Sequence, residues 1–192
     1  MMNLNLLFIV TSALWVLSEL VLLVTKRSRN RGAESADSGS QRTLWLAITL
    51  SITVGYFAAA NRLLPLPGSV HVWRIAGLVL IMAGLAVRWT AIMTLKEFFT
   101  VDVAIATGQR LIDRGIYRRV RHPAYTGMLL SFLGLGLAFG DALSVVIILI
   151  PITLAVLHRV RIEEAALNEA LGPVYANYAQ RTRRLIPFLF KV

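Results

Sequence analysis

The chain has 192 residues, of which 57% are hydrophobic, a mean hydropathy of +0.68 and a formal net charge of +10. It contains no cysteine, which excludes disulfides, thiolate catalysis and cysteine-based metal sites. Its three histidines have no metal-ligand spacing, which argues against metal catalysis. The basic residues are not interleaved with aromatic ones, so the charge indicates contact with anionic lipid and not with nucleic acid.

The apolar residues fall in long runs, and about 20 such residues in a helix cross the hydrocarbon core of a bilayer. The first run lacks a basic leader and a small-residue cleavage site, so we expect it to be a retained span. The Gly140-Asp141 pair predicts a tight reversal that joins the last two runs in a helical hairpin. The five predicted spans are Leu4–Val24, Thr43–Leu64, Val72–Leu95, Ala124–Phe139 and Ala142–Leu157.

The segments between the spans are polar. Residues 26–42 predict a flexible loop, Pro65-Leu66-Pro67-Gly68 predicts a turn, and residues 96–121 are too charged to span. Arg161–Arg181 predicts an amphipathic helix that Gly172-Pro173 interrupts. The predicted fold is therefore an all-α integral membrane protein with five transmembrane helices and a cytosolic C-terminal amphipathic helix.

The positions of Lys and Arg predict the orientation of the chain. Most of the 20 basic residues fall in the first loop, in the segment after the third span and in the C-terminal tail. These three segments share one side if five spans alternate, and the positive-inside rule makes that side cytoplasmic. We therefore expect a multi-pass protein with its N-terminus outside and its C-terminus in the cytoplasm.

Two polar clusters lie at this predicted boundary: the segment 115–127, and Arg159, Arg161, Glu163 and Glu164. His122 could position a ligand or act as a base, or it could only cap a loop. Tyr117 and Tyr125 could stack on an aromatic ligand, or they could only anchor the chain at the headgroup level, which is the commoner role of such tyrosines. Glu163 and Glu164 could bind a ribose diol or a cation, or form a solvated helical turn. Arg159 could hold an anion through its planar fork, or extend to lipid phosphates.

Two further features lie within the spans. Glu19 and Arg88 are ionisable residues at membrane depth, which makes them functional candidates by default, with an ion pair or extension to the headgroups as the alternative. Gly136-x-x-x-Gly140 is a weak helix-packing motif at a span end, and the sequence does not determine the oligomeric state.

The core Arg121-His122-Pro123-Ala124-Tyr125 resembles the isoprenylcysteine carboxyl methyltransferase family and its phospholipid methyltransferase relatives. The similarity continues through Arg159, Glu163-Glu164 and Gly172 to Tyr175 and Tyr178, and ends at Thr182-Arg183-Arg184-Leu185-Ile186-Pro187. It covers about residues 97–188. The resemblance implies a division into three N-terminal spans, residues 1–95, and a cofactor-binding and catalytic half, residues 96–192.

The resemblance also implies that S-adenosylmethionine binds the cytosolic side of this second half and that a lipophilic methyl acceptor arrives from the membrane. It places Arg159 beside the acceptor as the catalytic residue. It implies no metal. The implied cofactor-binding residues are Gln109, Arg110, Leu111, Ile112, Tyr117, His122, Pro123, Ala124, Tyr125 and Glu163.

Three functions remain open from the sequence. The first is a membrane methyltransferase acting on an isoprenylcysteine-like carboxylate or a phospholipid-like acceptor. The second is an NADPH-dependent membrane reductase of a sterol-like or enone lipid, whose superfamily has a similar Arg-His-Pro-x-Tyr ending. The third is a non-catalytic membrane protein in which both clusters anchor to lipid.

Overall fold

The computed structural model describes residues 4–25, 39–101, 103, 108 and 110–185. Every regular element in these ranges is helical. The α-helices are α1 (Leu4–Thr25), α2 (Ser40–Ala60), α3 (Val70–Leu95), α4 (Pro123–Ala138), α5 (Ala142–Leu171) and α6 (Pro173–Arg181). Two short 3₁₀ turns, Lys96–Phe98 and Gly115–Arg118, lie between α3 and α4.

Four of these helices are long and apolar enough to cross a membrane: α1, α2, α3 and α5. The fourth predicted span corresponds to α4, which is apolar but has only 16 residues. The predicted turn at Pro65–Gly68 lies between α2 and α3, and the predicted reversal lies between α4 and α5, where Gly140 has a φ of 71°. A multi-pass helical membrane protein is thus confirmed.

The C-terminal region differs from the prediction. Arg161–Arg181 does not form a helix separate from the fifth span, because α5 continues without a break from Ala142 to Leu171. The sequence between the apolar run and Leu171 contains no helix-breaking residue, so the change from apolar to charged side chains does not end the helix. The break falls at Gly172, whose φ is 54°, and Pro173 then begins α6.

Small residues bring α3 and α4 into the most extensive helix–helix contact of the fold. A Cβ atom added at Gly127 would lie 2.5 Å from the Gly84 carbonyl oxygen, and one at Gly134 would lie 2.5 Å from that of Gly77. Two antiparallel glycine layers, seven residues apart in each helix, therefore let the backbones touch. The predicted packing motif Gly136-x-x-x-Gly140 does not form this contact, because Gly136 faces Val145 of α5 and Gly140 forms the turn.

Asp141 fixes the end of the bundle that carries the α4–α5 turn. Its carboxylate is 1% exposed and caps α5 by accepting a 3.0 Å hydrogen bond from the Ser144 backbone N–H. The other carboxylate oxygen accepts one of 2.8 Å from the Leu64 N–H, in the loop after α2. Ser144 in turn donates to the Gly55 carbonyl at 2.6 Å, which joins α5 to α2. This end is closed by polar contacts, and the candidate site lies at the opposite end.

Candidate active site

A cavity of about 440 Å³ opens within the helical bundle and has two chemically different halves. The membrane half is mostly apolar, with Glu19 and Arg88 as charged exceptions, and its lining includes Trp15, Leu44, Ile48 and Phe132. The other half is polar. It is formed by the segment between α3 and α4, by the second half of α5 and by α6.

The two parts of the chain that carry the sequence resemblance are joined by backbone hydrogen bonds. The Arg121 N–H donates to the Arg183 carbonyl at 2.8 Å, and the His122 N–H donates to the Arg184 carbonyl at 3.0 Å. The Arg183 N–H returns a bond of 2.9 Å to the Arg119 carbonyl. Because these bonds fix the backbone at His122, the start of α4 and the tail after α6 form one wall of the polar half.

Glu164 is the centre of a charged cluster behind this wall. Its carboxylate accepts a 2.6 Å hydrogen bond from Arg121 Nε and lies 2.9 Å from Arg184 Nη2. The His122 Nε2 atom is 3.2 Å from the same carboxylate, and the His122 side chain is 3% exposed. Glu164 does not line the cavity. Through these contacts Glu164 holds together the tail after α6, helix α5 and the start of α4 at His122-Pro123.

Glu163 lies on the cavity side of the same helical turn. It accepts a 3.0 Å hydrogen bond from the Tyr125 hydroxyl, and His122 Nδ1 lies 3.8 Å from its other oxygen. Its side chain keeps 32% exposure, against 13% for Glu164. A partly exposed carboxylate on the cavity wall can accept hydrogen bonds from hydroxyl groups or balance a positive charge on a ligand.

Arg159 lies one helical turn before Glu163 and is linked to it through Tyr125. Arg159 Nε donates to the Tyr125 hydroxyl at 2.8 Å, and Nη1 donates to Ser40 Oγ at 3.1 Å. Nη2 donates to the Val101 carbonyl. The residue is 3% exposed and lines the cavity. These contacts exclude the alternative in which Arg159 extends to lipid phosphates, because its guanidinium is enclosed by protein groups.

A second ion pair lies in the cavity wall. Arg88 binds Glu19 through two contacts, Nε to Oε1 at 2.5 Å and Nη2 to Oε2 at 2.6 Å. Arg88 Nη1 also donates to the Ala124 carbonyl at 3.3 Å. Of the alternatives predicted for Glu19 and Arg88, the structure therefore shows the ion pair. It ties α1 and α3 to the first turn of α4.

Most of the residues singled out from the sequence meet at this cavity. Pro123 does not line it but starts α4 in a fully buried position. Gln109 lies outside the described residues. The remaining predicted residues all line the cavity: Arg110, Leu111, Ile112, Tyr117, His122, Ala124, Tyr125, Arg159 and Glu163.

Residues beyond Glu163 also line the cavity, although the family resemblance included Tyr175 and Tyr178 without giving them a role in the site. Leu167 and Leu171 follow Glu163 at successive four-residue steps on α5, and Tyr175 and Tyr178 follow on α6; all four line the cavity. The spacing of four residues from Glu163 is the signal that could have revealed the two leucines, since it places them on the same helix face.

Burial raises the pKa of three tyrosines in the polar half, so they stay neutral well above neutral pH. Burial raises the pKa of Tyr117, and the charge of Glu163 raises it further. Burial likewise raises the pKa of Tyr175 and of Tyr178. At neutral pH these groups are hydroxyls that can donate hydrogen bonds.

Among the residues that the structure describes, no cluster of three His, Asp or Glu side chains could hold a metal ion.

These features define a helical membrane protein with a cavity that is apolar on its membrane side and polar and charged at its other end. Comparison with known proteins gives the family. The model of the phospholipid methyltransferase family matches residues 72–173, which is more than half of the chain. The chain belongs to this family, and the relationship inferred from the motifs is confirmed.

Individual relatives agree with this assignment. Protein-S-isoprenylcysteine O-methyltransferase B of Arabidopsis thaliana is 31% identical over 127 residues, which cover 64% of each chain. The protein-S-isoprenylcysteine O-methyltransferase of Saccharomyces cerevisiae is 28% identical over 117 residues, which cover 60% of this chain and 49% of the yeast protein. The chain thus matches less than two thirds of the length of these curated relatives.

A solved structure shares the fold. The eukaryotic intramembrane Ras methyltransferase, an isoprenylcysteine carboxyl methyltransferase, superposes with a TM-score of 0.64 at 22% sequence identity. The superposition covers 94% of this chain and 65% of the other, so nearly all of the present fold has a counterpart in that protein.

Proposed function

We propose that this protein is an S-adenosylmethionine-dependent methyltransferase that acts on a lipophilic acceptor at the cytosolic face of the membrane. The cavity is the observation that carries the proposal. One continuous space contains both the mostly apolar half between the membrane helices and the polar half beyond them. A methyl donor from water and an acceptor from lipid could meet there. The family and the names of the relatives support methyl transfer over the NADPH-dependent alternative.

The chemistry of the polar half suits the proposed cofactor. When bound, S-adenosylmethionine supplies a methyl group on a positively charged sulfonium. Glu163 offers a carboxylate for hydroxyl or cationic groups of this ligand, and the Tyr125 hydroxyl holds that carboxylate in place. We propose that the cofactor is also held by Arg110, Leu111, Ile112, Tyr117 and Ala124, and that Gln109 and Pro123 contact it as well, as the family resemblance implies.

The apolar half suits the hydrocarbon part of an isoprenylcysteine-like or phospholipid-like acceptor. Trp15 packs against Phe132 with ring centroids 5.0 Å apart, and both residues line the cavity. Their rings offer close packing to a hydrocarbon chain that arrives from the bilayer, where it is already out of water.

We propose that Arg159 positions the reacting group of the acceptor between these halves. Its guanidinium is fixed by Tyr125, Ser40 and Val101, so it would hold an acceptor carboxylate or phosphate without reorganising. Methyl transfer is a direct displacement, and a site of this kind accelerates it by alignment and by exclusion of water.

The function is tested by two measurements on one detergent-purified preparation. The first is a calorimetric titration with S-adenosylhomocysteine and, separately, with NADPH. The second is transfer of a labelled methyl group to a farnesylated cysteine and to phosphatidylethanolamine. We expect binding of S-adenosylhomocysteine alone and labelling of at least one acceptor. Binding of NADPH alone would overturn the proposal in favour of a reductase.

A further inference from the structure

Two buried hydroxyls in the part of the chain that the structure describes have no hydrogen-bond partner, Ser12 Oγ and Tyr175 Oη. Both residues line the same cavity. Tyr175 is 4% exposed, so its hydroxyl does not gain compensating contact with bulk water. A buried polar group without a partner destabilises a fold, and its position at a cavity indicates that a ligand completes it.

The hydroxyls of the neighbouring tyrosines Tyr178 and Tyr125 both have hydrogen-bond partners within the protein. Tyr178 Oη donates to the Tyr117 carbonyl at 2.8 Å, and Tyr125 Oη both donates to Glu163 and accepts from Arg159. Tyr175 packs beside Tyr178 with ring centroids 6.0 Å apart, yet its hydroxyl makes no such bond among the described residues.

The position of Tyr175 along the cavity decides which part of a ligand it meets. Arg159, Glu163, Leu167 and Leu171 line one face of α5 at steps of about 6 Å, and Tyr175 follows on α6. Arg159 and Glu163 stand at the membrane end of this row, the apolar Leu167 and Leu171 separate them from Tyr175, and Arg121, which also lines the cavity, is bound to Glu164. The ammonium and carboxylate of a bound amino acid would need charged partners, whereas a purine ring needs apolar faces and a few polar contacts at its edge.

We propose that Tyr175 is a cofactor-binding residue whose hydroxyl hydrogen-bonds to the adenosyl part of S-adenosylmethionine, with the apolar side chains of Leu167 and Leu171 beside the base. This inference rests on the proposed function and adds a residue and an orientation to it. The adenosyl group lies at the α6 end of the cavity, and the reacting end of the ligand lies toward Arg159.

The test compares Tyr175→Phe with the wild type by calorimetric titration of S-adenosylhomocysteine and of 5′-methylthioadenosine, which keeps the adenosyl group but lacks the amino acid. We expect the substitution to raise the Kd of both ligands by the same factor, about 3- to 10-fold, as for loss of one neutral hydrogen bond. The matched control is Tyr56→Phe, since Tyr56 is 64% exposed on α2 and lies away from the cavity.

Thermal melting without ligand separates this role from a structural one. Tyr175→Phe should melt at or above the wild-type temperature, because it removes a hydroxyl that has no partner in the free protein. Tyr178→Phe should melt below it, because that hydroxyl is bonded to Tyr117. A destabilised Tyr175→Phe variant would overturn the inference.

The binding outcomes are equally distinct. Unchanged affinity for both ligands in Tyr175→Phe overturns the inference and leaves the methyltransferase proposal intact. Weaker binding of S-adenosylhomocysteine with unchanged binding of 5′-methylthioadenosine places the hydroxyl at the amino-acid part and overturns the adenosyl assignment. If the wild type binds neither ligand, the proposed function itself fails and the inference fails with it.

Discussion

Glu163 and Glu164 are neighbours in sequence, but their side chains have opposite surroundings. Glu163 lines the cavity, whereas Glu164 lies behind it among Arg121, His122 and Arg184. The sequence alone identified the pair and assigned the ligand contact to Glu163 by resemblance. It could not reveal the charged cluster, because Arg184 reaches Glu164 only after α6 has turned the tail back toward α5.

Substitution of Glu163 should therefore affect ligand binding, whereas substitution of Glu164 should affect the stability of the fold. We expect Glu163→Ala to weaken S-adenosylhomocysteine binding by about 1–3 kcal/mol, the cost of removing a charged hydrogen-bond partner of the ligand, with little loss of thermal stability. Glu164→Ala should instead destabilise the fold by about 3 kcal/mol, because it leaves buried Arg121 without its carboxylate. Titration and thermal melting of both variants check this, and equal effects on binding would contradict it.

Substitution of Arg159 should separate cofactor binding from methyl transfer. We expect Arg159→Lys to reduce turnover by about 100-fold, because an ammonium cannot keep the separate contacts to Tyr125 and Ser40 that fix the guanidinium. The affinity for S-adenosylhomocysteine should change little. The matched control is Arg161→Lys on the exposed side of α5. Methyl transfer and titration on the same preparation give the answer, and normal turnover in Arg159→Lys would remove this residue from the proposed mechanism.

At the scale of helices, the arrangement depends on contacts that apolar runs do not encode. The runs predicted where the helices lie, but the antiparallel register of α3 on α4 follows from glycines at 77, 84, 127 and 134. The seven-residue spacing within each helix was readable. The pairing of the glycines could not be predicted from the sequence, because each glycine contacts a partner on a different helix.

The glycine layers predict a graded response to added methyl groups. Gly127→Ala would place a Cβ atom 2.5 Å from the Gly84 carbonyl oxygen, and we expect it to lower stability by about 1–3 kcal/mol. Gly55→Ala is the control, since its Cβ would meet the Cγ1 atom of the Ile148 side chain at 2.9 Å and not a backbone atom, and should cost less. Melting temperatures in detergent measure both. A larger loss in Gly55→Ala would refute the assignment of the tightest contact to α3 and α4.

The ion pair between Glu19 and Arg88 is the charged link from α1 to the rest of the site. We expect Glu19→Gln to destabilise the protein by about 3 kcal/mol, because Arg88 is 5% exposed and would keep an unbalanced charge. The double variant Glu19→Leu with Arg88→Leu should recover most of this loss, since no unpaired charge remains. A double variant no more stable than Glu19→Gln would show that the pair contributes more than mutual neutralisation.

For the whole molecule, the distribution of basic residues and the fold together predict how the chain lies in the membrane. With α4 counted as a fifth crossing, the segment after α3 and the tail after α6 fall on one side, where the backbone bonds between Arg121 and Arg183 join them. A reporter fused after Val192 should therefore be cytoplasmic, and one inserted within residues 65–69 should be external. The reverse pattern would place the cavity's polar half on the wrong side for a cytosolic cofactor.

The backbone bonds between residues 121–122 and 183–184 have a consequence for how the protein is made. The two segments are separated in sequence by α4, α5 and α6, so they can pair only after the α4–α5 hairpin has folded back on itself. A chain whose hairpin does not close would therefore lack one wall of the polar half, and under the proposed function it would not bind the cofactor.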